Sequence, residues 1–301
     1  MLPFLNFKSK QKKLPPRVFK NNTYIPELNS NKLEAIVINT TNFEINNGDF
    51  KTFVDLLSNV TQTTDIDCVI CVNNDKYSSI ELEVNILKNL FKSVIIYTIN
   101  IPPQDDVYIR INTGNEFIPP DLKYGSASGP NIQFIKLIKY CEKYNTILLL
   151  ETDCTLFENW FSKLNLYIEH CGGFLISGST NDADDIIRPH ENFSLFLHIN
   201  GVALYKTCSK NLQTLISLLD EHIKHRVLWG FRFTAYDYML SNMIIEEFDL
   251  NKKKNLSFWK IAYKYTIKNS LIVNLSSSKS DIPIDDVLKY HPNCIILHKK
   301  L

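Results

Sequence analysis

The sequence predicts an α/β fold in which a mostly parallel central sheet is flanked by helices. Short apolar runs alternate with amphipathic segments between residues 33 and 99, and a further apolar run, Thr146–Leu150, leads directly into two acidic residues. The composition, with 45% hydrophobic and 22% charged residues, is that of a globular protein. It excludes collagen-like and wholly disordered chains, and 301 residues provide enough apolar material for a large core.

The first part of the predicted fold is a β-α-β-α-β unit. Its strands are continuous apolar runs, and its helices have the i, i+3, i+4 apolar spacing of amphipathic helices. In chain order we expect a strand at Glu34–Asn39, a helix at Phe50–Val60, a strand at Cys68–Val72, a helix at Ile80–Phe91 and a strand at Ser93–Ile99. This alternation predicts parallel strands, and such sheets bind ligands beyond the carboxyl ends of the strands.

A glycine- and serine-rich segment, Tyr124–Asn131, introduces the second part. Pro130 suits a first helical turn, so Ser128 or Gly129 is the expected cap of a helix that ends near Tyr144. The later expected elements are a strand at Thr146–Leu150, a helix at Leu156–His170, a strand at Gly173–Ser177, a polar loop at Asn181–Glu191, a strand, turn and strand at Phe193–Leu204 around Asn200-Gly201, helices at Ser209–His225 and at 236–248, and a strand at Ile295–His298.

Charge is unevenly distributed along the chain. The first twenty residues hold six basic residues and no acidic one, so the remainder has 27 basic against 32 acidic residues, a net charge of −5. A slightly acidic body predicts no nucleic-acid partner. We expect residues 1–30 to be a basic extension or linker, either a solvated terminus or a segment in weak contact with an anionic membrane surface.

The seven cysteines predict buried thiols in a reducing compartment, so the expected location is the cytoplasm. Cys68 and Cys71 have CxxC spacing, but no second pair accompanies them and they lie within a hydrophobic run. We therefore assign them no metal or redox role. No apolar run approaches the ~18 residues that a membrane span requires, so no transmembrane segment is expected.

The most informative feature is the acidic pair in Glu151-Thr152-Asp153, which ends a fully apolar strand. Residues i and i+2 of an extended segment point the same way, so both carboxylates can face one ligand. A divalent metal that carries diphosphate oxygens would offset their repulsion and act as a Lewis acid. One alternative is an exposed loop in which two acids occur by chance. Another is the motif of haloacid-dehalogenase-like phosphatases, but those enzymes require an Asp nucleophile at the position that Glu151 occupies here.

Two later segments supply further groups that a metal and diphosphate site requires: a glycine that permits close approach and a histidine followed by lysines. Gly201 lies between apolar stretches, where backbone can approach a ligand closely. His298 follows an apolar run near the end of the chain and precedes two lysines. A neutral histidine can complete a Mg²⁺ or Mn²⁺ site, and lysine can hold phosphate as a point charge.

With these segments in this order, residues 33–300 resemble nucleotide-sugar-dependent glycosyltransferases of the GT-A fold. The resemblance rests on the β-α-β-α-β start, the D-x-D-like acidic pair, and the segments His198–Ala203, Tyr236–Tyr238 and His298-Lys299. It implies one GT-A-like domain over 31–301, in which 31–153 bind the donor and 154–301 form a smaller acceptor-side half. It also implies a nucleoside-diphosphate-sugar donor such as a UDP-sugar, Mn²⁺ or Mg²⁺, and a glycan or other hydroxyl acceptor.

The resemblance assigns roles to individual residues. Glu151, Asp153 and His298 would bind the metal, with Glu151 departing from the usual Asp. The residues that would contact the donor are Thr40, Thr41, Asn73 and Asn74 at the base and ribose, Tyr124, Ser128 and Asn131 at a helix N-terminus that favours an anion, Lys299 at the diphosphate, and Thr152 and Gly201. Ordinary turn and capping roles are the alternative for several of these residues.

If the transfer inverts the anomeric centre, Asp237 is the expected catalytic base. The alternative for Asp237 is an acid favoured by a helix dipole, and Asp182, Asp184 and Asp185 form a competing acidic cluster. Trp229 is a candidate for stacking on a sugar. Two other functions remain open at this point: a degenerate GT-A-like domain that only binds a partner, and a sugar nucleotidyltransferase, although no glycine-rich phosphate loop follows Asn39.

Overall fold

A computed structural model describes residues 32–109, 119, 121–171, 173–180, 199–231, 234–251, 257–275 and 282–299. The expected basic extension, the expected polar loop with its acidic cluster, and residues 193–198 of the expected strand, turn and strand lie outside these ranges. None of the helices within them is long and apolar enough to cross a membrane.

The main sheet has seven strands in the order β3-β2-β1-β4-β7-β6-β8. Strands β1 to β4 are parallel to one another, β7 is antiparallel to β4 and β6, and β8 is parallel to β6. The strands are β1 Leu33–Thr40, β2 Asp67–Val72, β3 Ser93–Thr98, β4 Thr146–Glu151, β6 Ile176–Thr180, β7 Ile199–Tyr205 and β8 Thr266–Lys268. The predicted α/β class with a mostly parallel central sheet is confirmed.

A second sheet has three strands, β5 Cys154–Leu156, β9 Ile272–Leu275 and β10 Ile296–Lys299, in the order β5-β10-β9. Strand β10 is antiparallel to β5 and parallel to β9. Because β5 begins directly after the acidic pair, this small sheet joins the end of the chain to the end of β4. The sequence analysis predicted β10 but neither β5 nor β9.

The helices pack on the two sheets. They are α1 Asn42–Asn47, α2 Asp49–Val60, α3 Glu81–Leu90, α4 Ser128–Tyr140, α5 Trp160–His170, α6 Lys210–Leu228, α7 Tyr236–Asn251, α8 Ser257–Tyr265 and α9 Ile284–Tyr290. One core contains residues of α4, α6, α7 and α8, a second contains residues of α1, α2, α3 and α5, and a third, smaller cluster joins α9 to the small sheet. Strand β4 supplies Ile147 and Leu149 to the first core and Leu148 and Leu150 to the second, which explains its continuous apolar sequence.

Two local expectations were wrong. Gly201 lies within the continuous strand β7 rather than in a turn between two strands. Helix α4 begins at Ser128, with Ala127 as its N-cap and no capping side chain, because a 3₁₀ turn at Gly125–Ala127 leads directly into it. Ser128 and Gly129 are therefore inside the helix.

The cysteines behave as structural thiols. All seven are free, and Cys68, Cys71, Cys141, Cys154 and Cys294 are buried. Burial raises the pKa of both Cys141 and Cys294 to about 12, so these thiols stay protonated at neutral pH.

Candidate metal centre

Three side chains meet beyond the carboxyl end of β4. His298 Nε2 lies 3.1 Å from Glu151 Oε2 and 3.0 Å from Asp153 Oδ1. One ligand atom from each residue falls within 4.8 Å of the other two. The His298 side chain is 1% exposed, whereas those of Glu151 and Asp153 are 27% and 23% exposed. The imidazole thus forms the floor of the group, and the carboxylates form its solvent-facing side.

Strand pairing brings these distant segments together. Strand β10 runs antiparallel to β5, with His298 opposite Cys154, the residue that follows the acidic pair. The Lys299 amide also donates a hydrogen bond to the Asp153 carbonyl over 3.3 Å. The backbone of the small sheet therefore fixes the histidine beside both acids.

The charge on His298 partly offsets the charges of the two acids. Burial by itself lowers the pKa of His298, but the negative charges of Glu151 and Asp153 outweigh it and raise that pKa to about 10. A protonated imidazole therefore compensates the two acids at neutral pH. A divalent cation would replace that proton, because a metal-bound histidine must be neutral.

The group fits a divalent cation. Asp153 Oδ1 and both ring nitrogens of His298 are buried, yet none of them makes a hydrogen bond of acceptable geometry. The contacts of about 3 Å to Nε2 are thus close in distance but poorly directed for hydrogen bonding. Buried polar atoms normally have a partner, and carboxylate oxygens with one imidazole nitrogen suit Mn²⁺ or Mg²⁺. It is the one such group of His, Cys, Asp or Glu side chains in the described part of the chain.

Gly201 is required by close packing at this site. A Cβ atom at Gly201 would lie 1.9 Å from the Tyr236 hydroxyl and 3.2 Å from Glu151 Oε1. Tyr236 has little room to withdraw, because its ring stacks on Phe134 with centroids 3.9 Å apart. The absence of a side chain on β7 therefore lets Tyr236 lie beside Glu151. The close approach seen here involves the protein's own tyrosine, and an approach of the Gly201 backbone to a ligand stays a prediction.

Gly201→Ala is expected to destabilise the fold by about 1–3 kcal/mol, the usual cost of forcing an extra methyl group into a packed interior. Urea denaturation of the variant and of the wild type measures the difference. Tyr236→Phe removes the clashing oxygen, so the double variant should recover most of the loss. Equal stability of Gly201→Ala and the wild type would contradict this packing argument.

Sequence searches find no relative: no protein-family model matches the chain, and no curated protein is similar to it. The fold, however, matches solved structures. The apo crystal structure of mouse xyloside xylosyltransferase 1 matches with a TM-score of 0.50 at 13% identity, covering 89% of this chain and 97% of that one. This chain has the GT-A fold.

Two further GT-A structures match with lower scores. The galactosyltransferase LgtC, in complex with donor and acceptor sugar analogs, gives a TM-score of 0.46 at 13% identity, covering 88% of this chain and 86% of that one. Apo GlyE, a glycosyltransferase of Streptococcus pneumoniae TIGR4, gives a TM-score of 0.49 at 13% identity, and the match covers 89% of this chain and 55% of that one. The match to the mouse xylosyltransferase, rather than these two, confirms for the fold the resemblance that the motifs indicated.

The GT-A sheet brings four of the expected donor-binding residues to one edge. Thr40 ends β1, and Asn39 pairs in register with Glu151 of β4. Asn73 and Asn74 follow β2, and both bind Asn42: the Asn42 amide donates to Asn73 Oδ1 over 3.2 Å, and its side chain donates to Asn74. The side chains around this edge are thus linked to each other, and their contacts with a donor stay a prediction.

Three other expected donor contacts have different surroundings. The Tyr124 hydroxyl donates to Asp220 over 2.7 Å, and the Asn131 amide group donates to the carbonyls of Tyr124 and Thr234. These bonds hold Tyr124 against α6, and hold α4 against the segment before α7. Ser128 is fully buried, and within the described residues its hydroxyl has no hydrogen-bond partner.

Lys299 extends its amino group to the Ile282 carbonyl, 3.1 Å away. Asp237 lies in the first turn of α7 directly after Tyr236, and its carboxylate accepts a hydrogen bond from the Tyr238 amide over 2.8 Å. Burial, reinforced by the charges of Glu151 and Asp237, raises the pKa of Tyr236 well above its ordinary value. Tyr236 therefore stays protonated, and it directly precedes Asp237 while its hydroxyl packs on Gly201 beside Glu151.

Glu44 is a site residue that the sequence analysis missed. Its carboxylate accepts hydrogen bonds from the Thr41 amide at 2.7 Å, the Thr41 hydroxyl at 2.8 Å and the Thr152 hydroxyl at 2.7 Å. The signal was present, because Thr41-x-x-Glu44 is a capping-box pattern. The capping box predicts the start of α1, but it does not reveal the bond to Thr152.

Proposed function

We propose that this protein is a divalent-metal-dependent glycosyltransferase, which moves a sugar from a nucleoside-diphosphate donor to a hydroxyl group of a glycan or another acceptor. The observation that carries the proposal is the meeting of Glu151, Asp153 and His298 at the carboxyl end of β4 in a GT-A fold. Sheets of this kind bind ligands at that edge, and this group suits a cation that carries diphosphate oxygens.

In this proposal Glu151, Asp153 and His298 hold Mn²⁺ or Mg²⁺. The bound ion would supply a Lewis acid for the diphosphate leaving group. Thr40, Thr41, Asn73 and Asn74 line the edge where the base and ribose would lie. Lys299 would reach the diphosphate by leaving its contact with the Ile282 carbonyl.

Asp237 is the proposed catalytic base of an inverting transfer. The acceptor oxygen would form a bond to the anomeric carbon as the bond from that carbon to the diphosphate oxygen breaks, and the acceptor proton would pass to the Asp237 carboxylate. Its support is position: Asp237 follows Tyr236, whose hydroxyl packs on Gly201 beside Glu151. Residues 31–153 would then supply most donor contacts, with the acceptor meeting 154–301.

Calorimetric titration with UDP and with GDP, each with and without Mn²⁺, tests the proposal. We expect one nucleotide to bind and its affinity to rise when Mn²⁺ is present. Hydrolysis of the matching sugar nucleotides, followed by detection of the released nucleoside diphosphate, would then identify the sugar. Absence of nucleotide binding in both conditions would overturn the proposal and favour a GT-A-like domain that binds a partner.

A further inference from the structure

The carboxylate of Glu44 joins two parts of the site that strand pairing alone does not join. One oxygen, Oε2, accepts from the Thr41 amide and hydroxyl in the loop after β1. The other, Oε1, accepts from the Thr152 hydroxyl in the turn after β4. Hydrogen bonds to an ionised carboxylate are stronger than those between neutral groups. Glu44 therefore fixes the positions of both segments at once.

Thr152 presents its side chain away from the candidate metal ligands. Thr152 and Asp153 form the turn between β4 and β5. The contacts show the two directions: Glu151 and Asp153 meet His298, whereas Thr152 meets Glu44 and is only 9% exposed. His298 thus contacts the two acids directly, and Glu44 binds the threonine that lies between them in the chain.

We propose that Glu44 is a positioning residue, which orients the metal-binding pair through the Thr152 hydroxyl. The inference rests on the proposed function, because it requires Glu151 and Asp153 to bind a metal ion. Residues that orient metal ligands through hydrogen bonds contribute to metal affinity without touching the ion. The same carboxylate caps α1, so the loop that borders the predicted base and ribose pocket is coupled to the metal centre.

A pair of substitutions at Thr152 separates this role from the capping of α1. Thr152→Val removes the hydroxyl but leaves the shape of the side chain and the bonds between Glu44 and Thr41. Thr152→Ser keeps the hydroxyl and is the matched control. Mn²⁺ affinity without nucleotide, measured by calorimetry on the full chain, should fall about 10-fold in the valine variant and stay within about 2-fold of the wild type in the serine variant.

A second substitution approaches the same bond from the other partner. Glu44→Gln leaves an oxygen to cap α1 but places opposite Thr152 an amide NH2 group, which can donate but cannot accept, so the bond from the Thr152 hydroxyl to a carboxylate is lost. Because both changes break one bond, the double variant Glu44→Gln/Thr152→Val should lose less affinity than the product of the two single losses. Thermal unfolding of each variant shows whether it is folded, and Glu44→Gln carries the test if the valine variant does not fold.

The outcomes separate the two proposals. If the wild type binds Mn²⁺ and Thr152→Val binds it equally well, the positioning role is wrong and the proposed function stands. Fully multiplicative losses in the double variant would also overturn the positioning role. If the wild type binds Mn²⁺ only together with a nucleotide, the same variants are compared with that nucleotide present; if it binds Mn²⁺ in neither condition, both proposals fail together.

Discussion

Asp153→Ala is expected to abolish Mn²⁺-dependent nucleotide binding. The variant loses one of the three ligand atoms, and His298 then faces the single remaining acid, Glu151. We expect affinity for the nucleotide in the presence of Mn²⁺ to fall by more than about 100-fold, equivalent to about 2.7 kcal/mol. Calorimetric titration with and without Mn²⁺ measures the loss.

The matched control is Asp55→Ala, which removes an exposed acid from α2 and should leave binding unchanged. Thermal unfolding of both variants would show that they are folded. Retention of metal-dependent affinity in Asp153→Ala would place the cation elsewhere. The proposed function would then lose the observation that carries it.

Asp237→Asn is expected to lower kcat by about 100- to 10,000-fold, the range that a lost catalytic base costs. Asparagine keeps the shape of the side chain and is also accepted at a helix N-terminus, so the fold should be preserved. Binding of the nucleotide with Mn²⁺ should stay within about 3-fold, because the proposed proton transfer involves the acceptor rather than the donor. Initial rates and calorimetry together separate the two effects.

Asp249→Asn, at the other end of α7, is the control for a general effect of charge on this helix. The anomeric configuration of the product, determined by NMR, adds an independent check. Retention of configuration together with a small effect of Asp237→Asn would refute the base assignment and leave the metal centre unaffected.

The meeting of Glu151, Asp153 and His298 could be predicted from the sequence to a large extent, for a physical reason. The spacing of Glu151 and Asp153 at the end of an apolar strand predicts two acids beside one ligand, although the structure has a turn at Thr152-Asp153 rather than a continued strand, and His298 follows an apolar run that reads as a strand. What the sequence did not show is the antiparallel pairing of β5 with β10, which brings them together. Strand β5 has three residues and β9 has four, too few to establish a period-two pattern.

The error at Gly201 has a different cause. A glycine after an asparagine is a strong local turn signal, but here packing decides its position. Strand β7 pairs with β4 and β6, and the missing side chain makes room for Tyr236. The local preference of Asn200-Gly201 thus indicates a turn, whereas long-range packing places Gly201 in a strand. A single sequence shows the local preference but not the packing.

Glu44 lay outside the prediction because its second bond joins segments that are far apart along the chain. A capping box is a local pattern, and it accounts for one oxygen of the carboxylate only. The bond to Thr152 depends on β1 lying beside β4, which follows from the sheet order and not from the residues around Glu44.

The small sheet also determines when during synthesis the site can form. Both acids and four parallel strands leave the ribosome well before β10, the strand that carries His298. A nascent or prematurely terminated chain that stops before residue 298 therefore carries the acidic pair without its histidine. The pairing of β5 with β10 thus makes completion of this group of side chains depend on a segment that is synthesised long after the acidic pair.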